Sequence, residues 1–199
     1  RAGHRAQLRQ VPRIEAVRGR LLELVPELSA SGMRLGYAED ASAPMPLDQR
    51  RKVWVIARQH PGETMAEWFV EGMLERLLDT DDAVSRLLLQ RCVFHVVPNM
   101  NPDGSMRGNL RTNAVGANLN REWSAPTLER SPEVALVRAR MLQTGVDLCL
   151  DVHGDEVLPY NFVVGSEGNP GYNERIAVQE DAFKAAWIAS CPDFQDTHH

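Results

Sequence analysis

The chain has 199 residues, of which 43% are hydrophobic, 25% charged and 6% aromatic, as in ordinary soluble globular proteins. This length suits one α/β domain or most of one, and no stretch approaches the roughly 18 uninterrupted apolar residues of a membrane helix. A formal net charge of −5 argues against nucleic-acid binding as the main function.

The ends of the chain and its cysteines bear on where the protein works. The first ten residues are basic but no apolar signal core follows them, so secretion finds no support. Cys92, Cys149 and Cys191 show no CxxC spacing, and the first two lie in apolar runs. We therefore predict reduced core cysteines and a cytoplasmic location, with zinc–thiolate or nucleophile roles as less favoured alternatives. Because the sequence starts without Met and stops at His199, we expect a fragment of a longer protein.

The first half of the chain predicts a helix, a loop, a strand and a second helix. Residues 8–28 place apolar side chains every three or four positions, which indicates a helix. Residues 38–50 are rich in Pro, Ala and Asp and predict a loop. Residues 52–57 form a short, nearly continuous apolar run, typical of a strand buried on both faces. Residues 64–78 carry one apolar stripe at helical spacing.

The second half continues this alternation. Residues 92–97 and 146–152 predict two further buried strands. Between them, residues 131–143 begin with Ser-Pro-Glu, which predicts a helix with an N-cap, a proline at its first position and an acid in its first turn. Residues 170–189 predict a last helix. Alternating strands and helices indicate an α/β three-layer sandwich with a mixed, mostly parallel central sheet.

Polar motifs follow each predicted strand, at the sheet edge where functional groups of such folds gather. His60-Pro-Gly-Glu63 lies directly between the first strand and its helix, in a tight turn that suits Pro and Gly. A His and a Glu three residues apart across this turn can converge on one cation, or simply form a polar turn that caps the helix. After the third strand, Asp151 and His153 share one face of the strand, which offers a third metal donor of suitable type.

Two further motifs lie in predicted loops, and neither indicates a function when it is considered alone. Residues 99–104, with Asn-Pro-Asp-Gly, have strong turn chemistry. Residues 118–123 read Asn-Leu-Asn-Arg-Glu-Trp, in which a guanidinium next to an amide could hold a carboxylate or lie free on the surface.

Five ordered motifs, HPGE, NPDG, GNLR, NLNREW and DVHG, together resemble the M14 family of zinc carboxypeptidases over about residues 50–165. The ARQHPGE stretch and residues 99–104 are most similar to the cytosolic carboxypeptidase branch. The resemblance implies that His60, Glu63 and His153 bind one Zn²⁺ per chain. A His₂Glu set leaves a coordination position open for water or substrate.

The same resemblance implies roles in substrate binding. Arg111 would polarise the scissile carbonyl and stabilise its oxyanion. Asn120 and Arg121 would bind the free terminal carboxylate of a peptide. The implied enzyme is a hydrolase, a metalloprotease that removes a C-terminal residue with metal-activated water. Its partner is a peptide or protein C-terminus, and neither nucleic acid nor membrane is expected; the sequence leaves the oligomeric state open.

Two departures from the family pattern qualify this prediction. The position that is commonly Asp in the family, and that orients the first zinc histidine, is Asn118 here; it could accept the ring N–H without adding negative charge. The family's general-base glutamate and capping tyrosine lie well downstream of the last histidine, and few residues follow His153. None of the acids there has a context typical of the catalytic base, so we expect that base in sequence beyond this chain. These acids are Glu156, Glu167, Glu174 and Glu180.

We assign residues 1–30 to an N-terminal helical segment, a linker or a remnant of a preceding domain. We assign residues 31–199 to a zinc carboxypeptidase-like catalytic domain, truncated at its C-terminus. Two alternatives remain open at this point. One is a zinc-dependent N-acyl amino acid deacylase of the succinylglutamate desuccinylase or aspartoacylase type, which shares the metal set and the Asn-Arg pair. The other is a catalytically incomplete module that binds peptide tails.

Overall fold

The computed structural model describes residues 33, 35–40 and 42–196. The chain divides into two compact units, one ending at Gly154 and the other beginning at Asp155. The helix predicted over residues 8–28 lies outside the described residues, and so does the predicted boundary after residue 30. That boundary and the single catalytic domain over residues 31–199 therefore stay predictions. None of the described helices is long and apolar enough to span a bilayer.

The first unit is built on a four-stranded mixed sheet in the order β1-β3-β2-β4. Its strands are β1 (Gly36–Ala38), β2 (Arg51–Ala57), β3 (Cys92–Val97) and β4 (Leu148–Val152). β2 pairs in parallel with both β3 and β4, while β1 pairs antiparallel with β3. This confirms the prediction of a mixed, mostly parallel sheet. The loop predicted over residues 38–50 is interrupted by a 3₁₀ turn, Leu47–Gln49.

Five α-helices accompany the described strands. The first is α1, which follows β2, and α4 lies between β3 and β4. The short helix α3 replaces the turn that the Asn-Pro-Asp-Gly motif predicts, because Asn101 caps it and Pro102 occupies its first position. The bounds are α1 (Met65–Leu77), α2 (Ala83–Arg91), α3 (Pro102–Arg107), α4 (Pro132–Thr144) and α5 (Glu174–Ser190).

Alternate side chains of β2 enter separate cores on the two faces of the sheet. Trp54 and Ile56 pack in a cluster that includes Val134 and Val137 of α4. Val53, Val55 and Ala57 pack in a second cluster with the apolar stripe of α1, namely Ala66, Val70, Leu74 and Leu77. Helices therefore cover both faces of the sheet, which confirms the predicted three layers.

β4 differs from the prediction of a buried strand. Leu148, Cys149 and Asp151 are exposed, and Leu150 is only partly buried. The reason is position, since β4 pairs only with β2 among the described strands and so forms one edge of the sheet. Its apolar sequence resembles that of a central strand, and the prediction that Cys149 is a core residue is wrong for this unit.

The second unit contains α5, capped by Asn173, whose side chain accepts from the backbone N–H of Ile176. The predicted start at residue 170 was early, because Gly171 has a positive φ of 90° and the chain turns there before entering the helix. Within this unit Phe183 and Trp187 make an edge-to-face contact at 5.4 Å, and Trp187 also stacks on Phe194.

Candidate metal centre

The turn between β2 and α1 carries His60 and Glu63. Its shape depends on Gly62, whose N–H donates to the carbonyl of Leu110 at 2.8 Å. A Cβ added at Gly62 would lie 2.7 Å from the Leu110 side chain and 2.9 Å from its carbonyl oxygen. A glycine is therefore required for the close approach of the loop at Leu110.

Three side chains meet above the carboxyl ends of β2 and β4. His60 Nδ1 lies 2.7 Å from Glu63 Oε1, and His153 Nδ1 lies 2.8 Å from Glu63 Oε2. One ligand atom from each residue falls within 4.8 Å of the other two. The backbone N–H of Gly154 also donates to Glu63 Oε2 at 3.1 Å. The residues predicted as metal ligands are thus brought together, and their role as ligands remains a prediction.

The outer nitrogen of each histidine has an acceptor of its own. His60 Nε2 lies 3.0 Å from Asn118 Oδ1, an oxygen that also accepts the backbone N–H of Asn120. Because an amide NH₂ could not accept that N–H, the oxygen of Asn118 faces His60. His153 Nε2 lies 3.0 Å from Asp151 Oδ2. Both outer nitrogens are therefore donors.

This arrangement fits a cation. A neutral imidazole whose Nε2 carries the proton presents a lone pair at Nδ1. Two such lone pairs, from His60 and His153, then face the carboxylate of Glu63, so three electron-rich groups surround one point. Imidazole nitrogens and a carboxylate are the donor types of catalytic zinc sites, and outer hydrogen bonds of this kind fix the ring orientation.

Without a metal, the pKa values of Glu63 and His153 are shifted by their contacts with each other and with neighbouring groups. Burial alone would raise the pKa of Glu63, but hydrogen bonds from His153, the Gly154 N–H and His60 outweigh burial and lower it. Burial would lower the pKa of His153, yet its hydrogen bonds to Asp151 and Glu63 raise it to about 9. The centre therefore attracts positive charge.

Asp151 is itself held by Gln59. The Gln59 side chain is completely buried, and its Nε2 donates to Asp151 Oδ2 at 2.6 Å. Its Oε1 accepts from Trp123 Nε1 at 2.9 Å. The prediction from sequence gave no role to these three residues, although the Asp-x-His spacing placed Asp151 on the same strand face as His153.

Arg58 supports the turn from its other side. It has a positive φ of 56°, which is uncommon for a residue other than glycine. Its Nε donates to the carbonyl of Pro61 at 2.8 Å, and its guanidinium forms an ion pair with Glu67 of α1. The strained backbone thus directs a buried cation under the turn that carries the predicted ligands.

The Asn-Pro-Asp-Gly motif joins this turn to the next loop. Asn101 is completely buried, donates to the carbonyl of Gln59 at 2.9 Å and accepts the N–H of Gly104. A Cβ at Gly104 would lie 2.6 Å from both Pro61 Cγ and the carbonyl oxygen of Thr112. The motif therefore packs the turn of the predicted ligands against the loop that carries Arg111.

Arg111 is exposed, and its guanidinium makes no hydrogen bond or ion pair with any described residue. The loop behind it is fixed by Asn113, which is buried and accepts the N–H groups of Val115 and Ala117. Asn113 Nδ2 also contacts Glu133 Oε2 at 3.4 Å. The predicted first-turn acid of α4, Glu133, is buried in the fold, and this burial raises its pKa.

Asn120 and Arg121 lie on a 3₁₀ turn, Leu119–Arg121, which Asn118 caps. Leu119 is completely buried and anchors the turn. Arg121 is exposed, and its Nη1 donates to the carbonyl of Asn120 at 3.2 Å. The arginine predicted to bind a carboxylate is thus accessible to a ligand, and the same short segment supplies the acceptor for His60.

The acids considered for the general base lie in the second unit. Glu180 accepts from the backbone N–H and the hydroxyl of Ser166 at 2.8 and 2.5 Å, which assigns it a local structural role. Glu156, Glu167 and Glu174 are exposed. None of these contacts identifies a catalytic base among the described residues.

Comparison with known proteins decides the family. A profile described as zinc carboxypeptidase, Peptidase_M14, matches residues 41–162. The chain belongs to this family. The matched range contains all six predicted site residues, which are His60, Glu63, Arg111, Asn120, Arg121 and His153.

Two relatives with similar sequences show which members of the family this chain resembles. It is 58% identical over 146 residues to an uncharacterised protein of Zymomonas mobilis, with 73% of this chain and 38% of that protein covered. It is 34% identical over 150 residues to cytosolic carboxypeptidase 3 of Bos taurus, with 73% of this chain and 15% of that protein covered. The resemblance to the cytosolic carboxypeptidases is confirmed.

Solved structures of metallo-carboxypeptidases are also similar to this chain. A metallo-carboxypeptidase of Pseudomonas aeruginosa, in complex with (2-guanidinoethylmercapto)succinic acid, matches with a TM-score of 0.87 and 44% identity over 97% of this chain and 50% of that one. A metallo-carboxypeptidase of Burkholderia cenocepacia matches with a TM-score of 0.79 and 52% identity over 84% of this chain and 44% of that one. The chain therefore spans half or less of the length of these relatives.

Proposed function

We propose that this chain provides the zinc-binding and substrate-anchoring part of a metallocarboxypeptidase that hydrolyses the C-terminal peptide bond of peptides or proteins. The observation that supports the proposal most directly is the convergence of His60, Glu63 and His153, with both outer histidine nitrogens already hydrogen-bonded. Family membership supports the reaction class, since the matched family is one of zinc carboxypeptidases.

The proposed metal ligands are His60 Nδ1, His153 Nδ1 and the carboxylate of Glu63. When bound, one zinc ion would activate water near neutral pH and polarise the scissile carbonyl. Asn118 and Asp151 would hold the two rings so that their Nδ1 atoms face the metal. Glu63 is held in turn by the Gly154 N–H.

The proposed substrate contacts come from exposed arginines. Arg121, with Asn120, would bind the terminal carboxylate, which is the group that distinguishes an exopeptidase substrate from an internal peptide bond. Arg111 lies one residue after Leu110, whose carbonyl accepts the N–H of Gly62 in the turn of the predicted ligands. From there its guanidinium would stabilise the developing oxyanion, at a few kcal/mol in the transition state.

Zinc content tests the metal centre. Elemental analysis of the purified protein should give about one zinc per chain, and both His60→Ala and His153→Ala should lose it. Lys184→Ala, in the second unit, is the matched control and should keep the metal. Absence of zinc from the wild type, even after zinc is supplied, would overturn the proposal for this chain.

Substrate tests separate the carboxypeptidase from its alternatives, with the full gene product. We expect hydrolysis of peptides with a free C-terminus and none of the same peptides with an amidated one, because the amide lacks the charge that Arg121 binds. Turnover of N-acyl amino acids alone would favour the deacylase, and binding of peptide tails without turnover would favour a non-catalytic module.

A binding test addresses Arg121 without requiring turnover. The related metallo-carboxypeptidase of Pseudomonas aeruginosa is in complex with (2-guanidinoethylmercapto)succinic acid, a dicarboxylate that can serve as a probe. We expect calorimetric binding of this probe to the zinc-loaded protein and a loss of about tenfold or more in Arg121→Ala. Arg138→Ala, on α4, is the control.

A cytoplasmic location remains part of the proposal, supported by the three free cysteines.

A further inference from the structure

We propose that Gln59 is a positioning residue that holds Asp151 against His153 and connects this histidine to the loop of Asn120 and Arg121 through Trp123. The inference rests on the proposed zinc site and extends it to residues outside the metal ligands. In this proposal, the loop of residues 118–123 orients the metal-binding histidines as well as binding the substrate.

Both polar atoms of the Gln59 side chain and its backbone carbonyl are hydrogen-bonded. Its amide NH₂ donates to Asp151 Oδ2 at 2.6 Å, and its side-chain oxygen accepts from Trp123 Nε1 at 2.9 Å. Its backbone carbonyl accepts from Asn101 Nδ2. The residue is completely buried, so each lost bond would leave a desolvated polar group at a cost of about 1–3 kcal/mol.

Trp123 determines which way the Gln59 amide points. An indole N–H can only donate, so the group facing it must be the amide oxygen. The NH₂ group is then directed at Asp151, and the alternative orientation would set an amide oxygen against a carboxylate. The same Asp151 oxygen, Oδ2, lies 3.0 Å from His153 Nε2. Donation therefore runs from Trp123 to Gln59 and from Gln59 to Asp151, and Asp151 Oδ2 accepts from both Gln59 and His153.

One short loop thus supports both histidines. Asn118, at its start, accepts from His60 directly, while Trp123, at its end, acts on His153 through two intermediates. Asn120 and Arg121 lie between these two contacts. The loop that carries the proposed carboxylate-binding residues is therefore hydrogen-bonded to His60 directly and connected to His153 through Gln59 and Asp151.

The test is a double-mutant cycle read as zinc affinity. The Zn²⁺ dissociation constant is measured by competition with a chromophoric chelator for the wild type, Gln59→Met, Asp151→Ala and the double variant. Loss of such outer hydrogen-bond partners typically costs 10–100-fold in metal affinity. We expect about tenfold for Gln59→Met, a similar or larger loss for Asp151→Ala, and no further loss in the double variant, because Gln59 acts only through Asp151.

Trp123→Phe keeps the ring and removes the donor, and it serves as a second variant if Gln59→Met does not fold. We expect a loss of about threefold in the wild-type background and none with Asp151→Ala. Trp54→Phe is the matched control, since it removes an indole N–H bonded to the Gly145 carbonyl and should leave zinc affinity unchanged.

The outcomes separate the two proposals. Unchanged zinc affinity in Gln59→Met and Trp123→Phe, or losses that simply add to that of Asp151→Ala, would overturn the role of Gln59 while leaving the zinc site intact. A wild type that binds no zinc would instead overturn the proposed function itself.

Discussion

The two histidines of the candidate centre occupy different surroundings. His60 follows the central strand β2, and its side chain is 4% exposed. His153 follows the edge strand β4, and its side chain is 28% exposed. The first ring is oriented by a neutral amide, that of Asn118, and the second by a carboxylate, that of Asp151.

This difference follows the cost of burying charge. A carboxylate without full compensation is expensive in a dry environment, whereas an amide is cheaper to bury when it is hydrogen-bonded. At the edge of the sheet the side chain of Asp151 is 34% exposed, so water shares the solvation of its charge. Glu63 contacts both rings, but of the two outer partners the charged one lies beside the more exposed histidine and the neutral one beside the buried histidine.

Replacing each histidine in turn should distinguish its effect on zinc binding from its effect on the stability of the fold. His60→Ala and His153→Ala both delete a predicted ligand, so both should reduce zinc from about one per chain to almost none. His60→Ala also leaves a void in the buried turn, so it should lower the free energy of unfolding by about 2 kcal/mol or more. His153 is partly exposed and leaves no such void, so its removal should cost less once the pH is above about 9, where its imidazole is neutral and its ion pairs no longer contribute. Elemental analysis with urea unfolding of the metal-free proteins would check this. Equal destabilisation by both changes would contradict the comparison.

The free energy of unfolding should decrease at acid pH because of His95, in the core around β2 and β3. This residue of β3 stacks on Trp54 at 4.5 Å and 9° and meets the ring of Tyr37 edge-on. Its Nδ1 has no hydrogen-bond partner among the described residues. Burial, with the nearby charges of Arg140 and Lys52, lowers its pKa from 6.5 to about 4.

Because the folded pKa is below the unfolded one, the unfolded chain binds more protons between these values. The stability that depends on a neutral His95 is complete above about pH 6.5 and is lost as the pH falls towards 4, by up to about 3 kcal/mol. Urea unfolding of the metal-free chain at pH 7 and pH 4.5 measures the loss. His95→Phe keeps a ring against Trp54 and should show a smaller loss; the same pH dependence in both proteins would contradict the assignment.

The packing of the turn can be tested with two glycines. A Cβ at Gly104 would meet Asn101 Oδ1, Pro61 and the Thr112 carbonyl at 2.5–2.6 Å, so Gly104→Ala should destabilise the fold by about 1–3 kcal/mol and weaken zinc binding. Gly72→Ala on α1 is the matched control, because a Cβ added there would have nothing within 4 Å. It should stabilise by about 0.5–1 kcal/mol. Thermal unfolding measures both, and destabilisation of equal size would contradict the packing argument.

Local patterns predicted the central elements well. The apolar run at residues 92–97 coincides with β3, and the helix predicted from Ser131 begins at Pro132 as expected. These succeed because burial on both faces and N-terminal capping leave strong local signals. The helix α2 was not predicted, since its sequence runs without a break into β3 and only Asp82, which caps it, marks its start.

The long-range features had no such local signal. β4 has the composition of a central strand, and only its pairing, with β2 alone among the described strands, reveals an edge. The metal donors His60, Glu63 and His153 were predicted from the order of the motifs. The hydrogen bond from Gln59 to Asp151, however, spans 92 positions of the sequence, and the bond between Gln59 and Trp123 spans 64. Glu133 fits a first-turn acid by sequence, and its burial against Asn113 depends on tertiary packing.

Asn118→Asp would give the buried histidine the same kind of partner as the exposed one. The carboxylate can still accept both His60 Nε2 and the N–H of Asn120, and its charge would increase the basicity of the ring. We expect zinc affinity to increase by up to about tenfold, with a loss of unfolding free energy of about 1 kcal/mol in the metal-free chain because a charge is buried. Chelator competition measures the first and urea unfolding the second. Weaker zinc binding would show that the neutral amide is the better partner for a histidine buried this deeply, and the link between exposure and charge would then lose its energetic basis.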